Sequence, residues 1–199
     1  MANENNLAVY KEYLHTVQAY LDKYFDNQKE YLSCQKGCAY CCKKGTYPLS
    51  QIEFEYLSIG FFKLNFKEQQ DVIKKFQNLK QEYNSSDNKE KFMYQCPFLS
   101  DDNFCMVYDY RSLICRTFGL LKFDKDEKII IPFCRTLGLN YSKVYNQEKN
   151  MLDDELIKKY GYKNSPKAYD LSFKTLMNNE LFKDLNIDFG EIKSLVEWL

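Results

Sequence analysis

The chain opens on a helical pattern of apolar positions. Leu7, Tyr10, Leu14, Val17, Leu21 and Tyr24 recur at alternating steps of three and four, and Tyr13, Tyr20 and Phe25 widen the stripe. That spacing places the side chains on one face of a helix, so residues 1–33 read as an N-terminal amphipathic helix with an aromatic-rich surface turned to a core. The only histidine, His15, falls off the Leu7/Leu14/Leu21 line and reads as a solvated helix residue. Further on, Ser50-Gln-Ile-Glu53 has the form of a capping box, with Ser50 as N-cap and Glu53 three residues later, and predicts a helix to about residue 65. Val72, Ile73, Phe76, Leu79 and Tyr83 predict another, ending before the polar loop Asn84-Ser-Ser-Asp-Asn88.

In the middle of the chain the apolar runs shorten. Two arms within Cys96–Cys105 flank a polar turn and predict a small hairpin; Tyr108–Arg116 predicts a short helix. Leu120–Phe123 and Ile129–Ile131 flank Asp124-Lys-Asp-Glu127 and predict a second hairpin. From about residue 141 helical signals return, with Ser165-Pro166 as N-cap and first helical residue. A final amphipathic stretch runs through Ile192, Leu195, Val196 and Leu199. The fold expected is one domain over 1–199, mainly α with small β-hairpins. In it the helix 1–33 and a helical part 141–199 surround an irregular cysteine-rich core at 34–135, and 199 residues suffice to bury a real interior. One short echo stands out. Cys115-Arg-Thr-Phe-Gly-Leu120 and Cys134-Arg-Thr-Leu-Gly-Leu139 differ at one position, with chance as the competing explanation.

Composition narrows the function. Apolar residues at 45% and aromatics at 17% exclude a disordered chain. Lys+Arg and Asp+Glu stand at 28 each, so no global electrostatic case for nucleic acid exists. No apolar run reaches membrane-span length, and the first residues lack the basic start and apolar core of a signal peptide. The expectation is a soluble, cytoplasmic protein. In that reducing compartment clustered cysteines serve as metal ligands or redox groups more often than as disulfides.

Four of the eight cysteines fall in Cys34-Gln-Lys-Gly-Cys38-Ala-Tyr-Cys41-Cys42. Thiolates are soft ligands for zinc, Cu(I) and iron–sulfur clusters, and with a single histidine any metal must rely on sulfur. Cys96, Cys105, Cys115 and Cys134 can complete sites from across the fold. Adjacent residues rarely turn both sulfurs to one tetrahedral ion without strain, so Cys41-Cys42 favours two centres or a bridged one. Eight thiols allow two four-sulfur sites, or one cluster with spare redox-active thiols; Cys115 and Cys134 could instead be small buried hydrophobes. Three of the 28 basic residues are arginines, Arg111, Arg116 and Arg135, and all lie in this region. A guanidinium can offset the negative charge of a thiolate site and donate to it from behind. Receiving a carboxylate or phosphate substrate, or pairing with Asp109, are the alternatives. Cys34-x3-Cys38-x2-Cys41 with Tyr40 also has the spacing of an open iron–sulfur cluster that binds S-adenosylmethionine, but no run of βα units follows to build a barrel. Cys38-Ala-Tyr-Cys41 as a redox pair lacks βαβ context, and His15 alone offers no partner for cysteine hydrolysis.

At these residues the sequence resembles a known family. The dense Cys34…Cys41-Cys42 run, Cys96-Pro-Phe-Leu99 and Cys105-Met-Val-Tyr108-Asp-Tyr-Arg111-Ser-Leu-Ile-Cys115-Arg116 are similar to the YkgJ-type cysteine-cluster family, a zinc- or iron-chelating domain, over about 34–135. The resemblance implies metal-ligand roles for Cys34 or Cys38, Cys41, Cys42, Cys96, Cys105 and Cys115, with Cys134 matching a later cysteine, and structural roles for Tyr108 and Arg111. Three departures are visible: C-x3-C in place of C-x2-C at Cys34, Ser112 in place of a proline, and Arg135-Thr136 after Cys134 in place of Pro-Gly. Some relatives are linked to flagellin lysine N-methylation. The expectation is therefore a closed, sulfur-rich zinc or iron–sulfur site that organises the fold and is compatible with a protein partner. The alternative is an iron–sulfur redox or S-adenosylmethionine-dependent methyl-transfer enzyme.

Overall fold

The computed structural model describes residues 4–35, 37–124, 126–178 and 184–198. Helix α1, Glu4–Gln28, follows the opening stripe: Tyr10, Tyr13, Leu14, Val17 and Leu21 are buried and His15 is exposed. The chain divides into two compact units, one of Met1–Glu12, Lys36–Arg116 and Ile187–Leu199, the other of Tyr13–Gln35 and Thr117–Asn186.

In the first unit, β1 (Pro48–Ser50) leads directly into α3 (Gln51–Phe62), preceded by the single turn α2 (Tyr40–Lys43). The capping box forms as predicted, with the Glu53 carboxylate accepting from the Ser50 backbone N–H. A second box, Asn65 with Glu68, starts α4 (Phe66–Ser85). Tyr47, Leu49, Leu57, Val72, Leu79 and Phe98 are part of one buried apolar cluster. The final stretch is not the amphipathic helix expected. It is a strand, β6 (Ile192–Ser194), antiparallel to β1 with Pro48 opposite Ser194, followed by a 3-10 turn over Leu195–Trp198. Leu195 and Val196 are buried, as an apolar pattern requires, but pairing with β1 satisfies the backbone that a helix would have satisfied locally. Leu199 lies outside the described residues.

The helix expected over 108–116 is also interrupted. A 3-10 turn spans Tyr108–Tyr110, Arg111 is extended, and α5 occupies only Leu113–Thr117. The break allows the Ser112 carbonyl to accept from both Cys115 and Arg116 N–H groups and so to start a new turn. The Cys96–Cys105 hairpin reduces to a single antiparallel bridge, Leu99 to Cys105, around a turn with Asn103 left-handed at φ 61°.

The second unit gathers Tyr31, Leu121, Ile131, Tyr141, Val144 and Ile157 in its core. Its predicted hairpin forms between β2 (Lys122–Phe123) and β3 (Ile129–Ile130), the Asp124 carboxylate accepting from the N–H groups of Asp126 and Lys128 in the turn. A further hairpin, β4 (Tyr145–Asn146) with β5 (Met151–Leu152), precedes α6 (Asp154–Lys159), capped by Asp153, and α7 (Phe173–Asn178) follows. Ser165-Pro166 starts no helix. Ser165 donates its hydroxyl to Asp154, and the chain beyond it is drawn out by a parallel bridge between Tyr169 and Lys122, so the described residues after 141 are less helical than expected. The whole remains mainly α with small two-stranded sheets. Among the described residues no helix is long and apolar enough to cross a membrane.

Leu49 is 2% exposed on β1 and sits inside the first core. Leu49→Ala is expected to cost about 2–5 kcal/mol in a urea melt, whereas His15→Ala stays within about 0.5 kcal/mol of the parent.

Candidate metal centre

The thiols of the first unit are brought together by backbone pairing. Ala39 takes the left-handed conformation (φ 48°), which turns the chain into α2 and sets Cys41 Sγ 4.0 Å from Cys42 Sγ. Gly45 and Tyr94 exchange both backbone hydrogen bonds, and Cys96 N–H then donates to the Cys42 carbonyl at 2.8 Å. Cys42 and Cys96, 54 positions apart, thereby become neighbours. The buried Tyr47 hydroxyl lies among three carbonyls, those of Cys41 and Cys42 at 3.0 Å and Tyr94 at 3.2 Å, and shares its one proton with them. Cys105 enters from the bridge to Leu99, and Cys115 from α5, where the Ser112 hydroxyl donates to its sulfur at 3.5 Å.

Electrostatics shows that these sulfurs share one neighbourhood. Removal from water raises the Cys96 thiol, and charges on Cys115, Cys105 and Cys41 push it further. Burial likewise pushes Cys115 up to about 12, with Cys105 and Cys41 adding to it, and raises Cys105. Cys41 and Cys42 behave as a pair holding one proton. Their mutual hydrogen bond brings Cys41 down to about 7 and drives Cys42 up, and Cys96 and Cys115 add to the rise of Cys42. Burial and then the charges of Cys96, Cys42, Cys115 and Cys41 raise Tyr47 as well.

Arg111 answers this accumulation of charge: its guanidinium favours the thiolates of Cys41, Cys105 and Cys115. It is held by stacking 3.4 Å from the Tyr108 ring centroid and by donating Nε–H to the Tyr108 carbonyl at 2.8 Å. Arg116 donates to the carbonyls of Arg111 at 2.9 Å and Asp109 at 2.7 Å, so it ties the backbone of the turn.

The other predicted residues are placed as follows. Cys38 precedes the left-handed Ala39, and a Cβ on Gly37 would lie 3.8 Å from the Phe104 ring, beside Cys105. Cys34 and Cys134 belong to the second unit. There the Cys34 sulfur accepts from Asn140 Nδ2 at 3.0 Å and approaches Gly119 so closely, at φ +104°, that a Cβ would lie 2.9 Å from it. Cys134 is buried on a 3-10 turn, Phe133–Leu137, and both charges add to the burial that raises Tyr141. Arg135 donates to the carbonyls of Ile131 and Pro132 and lies 4.5 Å from the Tyr145 ring centroid, a structural role within that unit. The sequence echo has a local counterpart. Cys115 and Cys134 each sit on a single helical turn, the next arginine folds back onto preceding carbonyls, and a glycine four residues on takes positive φ, 104° at Gly119 and 75° at Gly138.

Sequence reasoning did not single out Tyr47, Ser112 or Asn140 for these contacts, and saw Glu53 only as a helix cap. Tyr47, Ser112 and Asn140 carry no local signal, because Asn140 acts on a sulfur distant in sequence and the other two through a hydroxyl indistinguishable from its neighbours.

The donor set fits a thiophilic metal in kind. Cys42, Cys96, Cys105 and Cys115 are all raised, in part by the charges of neighbouring thiols, while Cys41 is lowered by its hydrogen bond with Cys42; a bound cation is the partner that would hold the whole set ionised. Their spacing is looser than ligation: among the described residues no three His, Cys, Asp or Glu side chains stand at the separations of a metal site. Among the described residues no two cysteines are joined by a disulfide.

The model of one protein family, CxxCxxCC, "Putative zinc- or iron-chelating domain", matches residues 33–135, just over half of the chain. The chain belongs to the CxxCxxCC family. No curated protein and no solved structure matches it. The CxxCxxCC match covers every cysteine, both those gathered in the first unit and the Cys34 and Cys134 of the second. It supports metal chelation as the general property of this segment and leaves zinc and iron both open.

Tyr47→Phe keeps the ring and removes the one proton that the three carbonyls share. A loss of about 1–2 kcal/mol is expected in denaturant melts of the metal-free protein.

Proposed function

We propose that the chain is a metal-binding protein that holds zinc or an iron–sulfur cluster on thiolates drawn from Cys41, Cys42, Cys96, Cys105 and Cys115. The observation that carries this reading is the meeting of separate cysteine-bearing segments within the family match: the Cys41 and Cys42 sulfurs lie 4.0 Å apart, Cys96 N–H donates to the Cys42 carbonyl at 2.8 Å, and the charges of Cys105 and Cys115 act on Cys96. Buried like-charged groups are costly unless a cation compensates them, and a soft donor set selects zinc or iron–sulfur over hard cations. Zinc would supply a cross-link that contributes directly to folding, and an iron–sulfur cluster would add electron transfer. Arg111 offsets the residual negative charge, the Ser112 hydroxyl donates to the Cys115 sulfur, and Tyr47 fixes the Cys41-Cys42 carbonyls. Cys38 lies on the same loop and is available as a further ligand. A cytoplasmic setting is part of the same reading, because clustered cysteines in a reducing compartment serve as metal ligands more often than as disulfides.

The S-adenosylmethionine reading gains less. Its C-x3-C-x2-C motif needs Cys34, whose sulfur is engaged by Asn140 and Gly119 in the second unit, and the described elements include no succession of βα units.

Elemental analysis of anaerobically purified protein is expected to find bound zinc or iron. Cys41→Ser and Cys96→Ser are each expected to lower that content by roughly half or more, and Cys134→Ser to retain it. Normal metal content in both of the first two variants would refute the ligand assignment.

A further inference from the structure

Glu53 is 1% exposed, and its carboxylate is divided between the beginnings of two helices. At the start of α3, Oε2 accepts from the Ser50 N–H at 2.7 Å and from the Ser50 hydroxyl at 2.9 Å. At the start of α5, Oε1 accepts from the Leu113 N–H at 2.6 Å, across 60 positions of sequence. Three donors directed at two oxygens call for a carboxylate that accepts on both, which is the ionised form. Burial raises the carboxyl above its usual range, and the hydrogen bonds from Ser50 and Leu113, with the Arg116 guanidinium, work against that rise.

The Leu113 contact lies two residues before Cys115. A helix of five residues gains little from its own hydrogen bonds and depends on outside contacts to hold its place. Glu53 supplies one at the N-terminal end, in addition to the Ser112 carbonyl that accepts from Cys115 and Arg116. From the other side, Arg116 ties the carbonyls of Arg111 and Asp109. The same short segment therefore carries a sulfur, the hydroxyl that donates to it and the guanidinium that offsets it.

We propose that Glu53 is a positioning residue of the thiol site, its carboxylate anchoring α5 to the start of α3 so that Cys115 is presented to the metal. This rests on the assignment of Cys115 as a ligand. It differs from a plain capping role, because the consequence of losing the carboxylate runs through one sulfur.

A double-mutant cycle on the full chain separates the two. Apparent Zn(II) affinity is measured by chelator competition, and the thiolate-to-metal charge-transfer band is recorded with Co(II) in place of zinc. Glu53→Gln keeps the shape but leaves one N–H donor facing an amide N–H. It is expected to weaken metal binding about 10- to 100-fold and to alter the Co(II) band. In a Cys115→Ser background the same substitution is expected to change affinity by less than about twofold, because the sulfur it positions is gone. Asn65→Ala, which removes the cap of α4 in the same unit, is expected to leave affinity within about twofold, since the side-chain bonds it makes and receives join only Asn65 and Glu68. Ser50→Ala keeps the carboxylate and releases one of its donors; it is expected to cost roughly two- to fivefold, again only where Cys115 is present, and serves if Glu53→Gln does not fold. The proposal is overturned if Glu53→Gln or Ser50→Ala lowers thermal stability at unchanged affinity, if the loss is equal in both backgrounds, or if Asn65→Ala matches it. Failure of the parent protein to bind either metal overturns the metal reading itself, and is recognised before any variant is compared.

Discussion

Thiols held together away from water resist ionisation, because each new negative charge must be placed beside another in a medium that screens poorly. The first unit of this protein gathers the half-buried Cys42, Cys96, Cys105 and Cys115 under that constraint, with Cys41 lowered by its bond to Cys42, and its irregular centre can be understood as the response. Arg111 brings positive charge and is itself kept in place by the Tyr108 ring. The Tyr47 hydroxyl and the Gly45–Tyr94 pairing hold the loop backbone so that neighbouring sulfurs stay together. Here the cysteine-bearing segments meet through single turns and bridges, and α3, α4 and the β1–β6 pair supply the apolar support.

Much of this was legible in the sequence for physical reasons. A 3.6-residue stripe predicts α1 because burial on one face is enough to specify it, and the Ser50/Glu53 box marks the start of α3 through chemistry confined to four residues. The failures have the opposite character. Ile192–Trp198 reads as a helix by apolar pattern, but its backbone finds β1 some 140 residues earlier. Ser165-Pro166 has the right residues for a helix start, but Tyr169 is drawn to Lys122. In both cases a long-range pairing, invisible to a local window, overrides a short apolar pattern.

The candidate site shows the same division. Cysteine identity and the position of Arg111 could be read directly, because soft ligands and a rare guanidinium are conspicuous in a lysine-rich chain. The grouping of the thiols could not. The run Cys34–Cys42 looks like one cluster in sequence, yet Cys34 belongs with Asn140 and Gly119 in the second unit, and Cys41 and Cys42 belong with thiols 54 to 74 residues onward. Glu53 combines both cases: its bond to Ser50 is local and legible, and its bond to Leu113 is neither.

The central claim, that one set of sulfurs binds the metal, is tested most directly by X-ray absorption at the metal edge of anaerobically purified, full-length protein. The account predicts a first shell made of sulfur alone, near the roughly 2.3 Å typical of zinc–thiolate bonds if the metal is zinc. A first shell dominated by nitrogen or oxygen would contradict it, as would protein with no bound metal to measure.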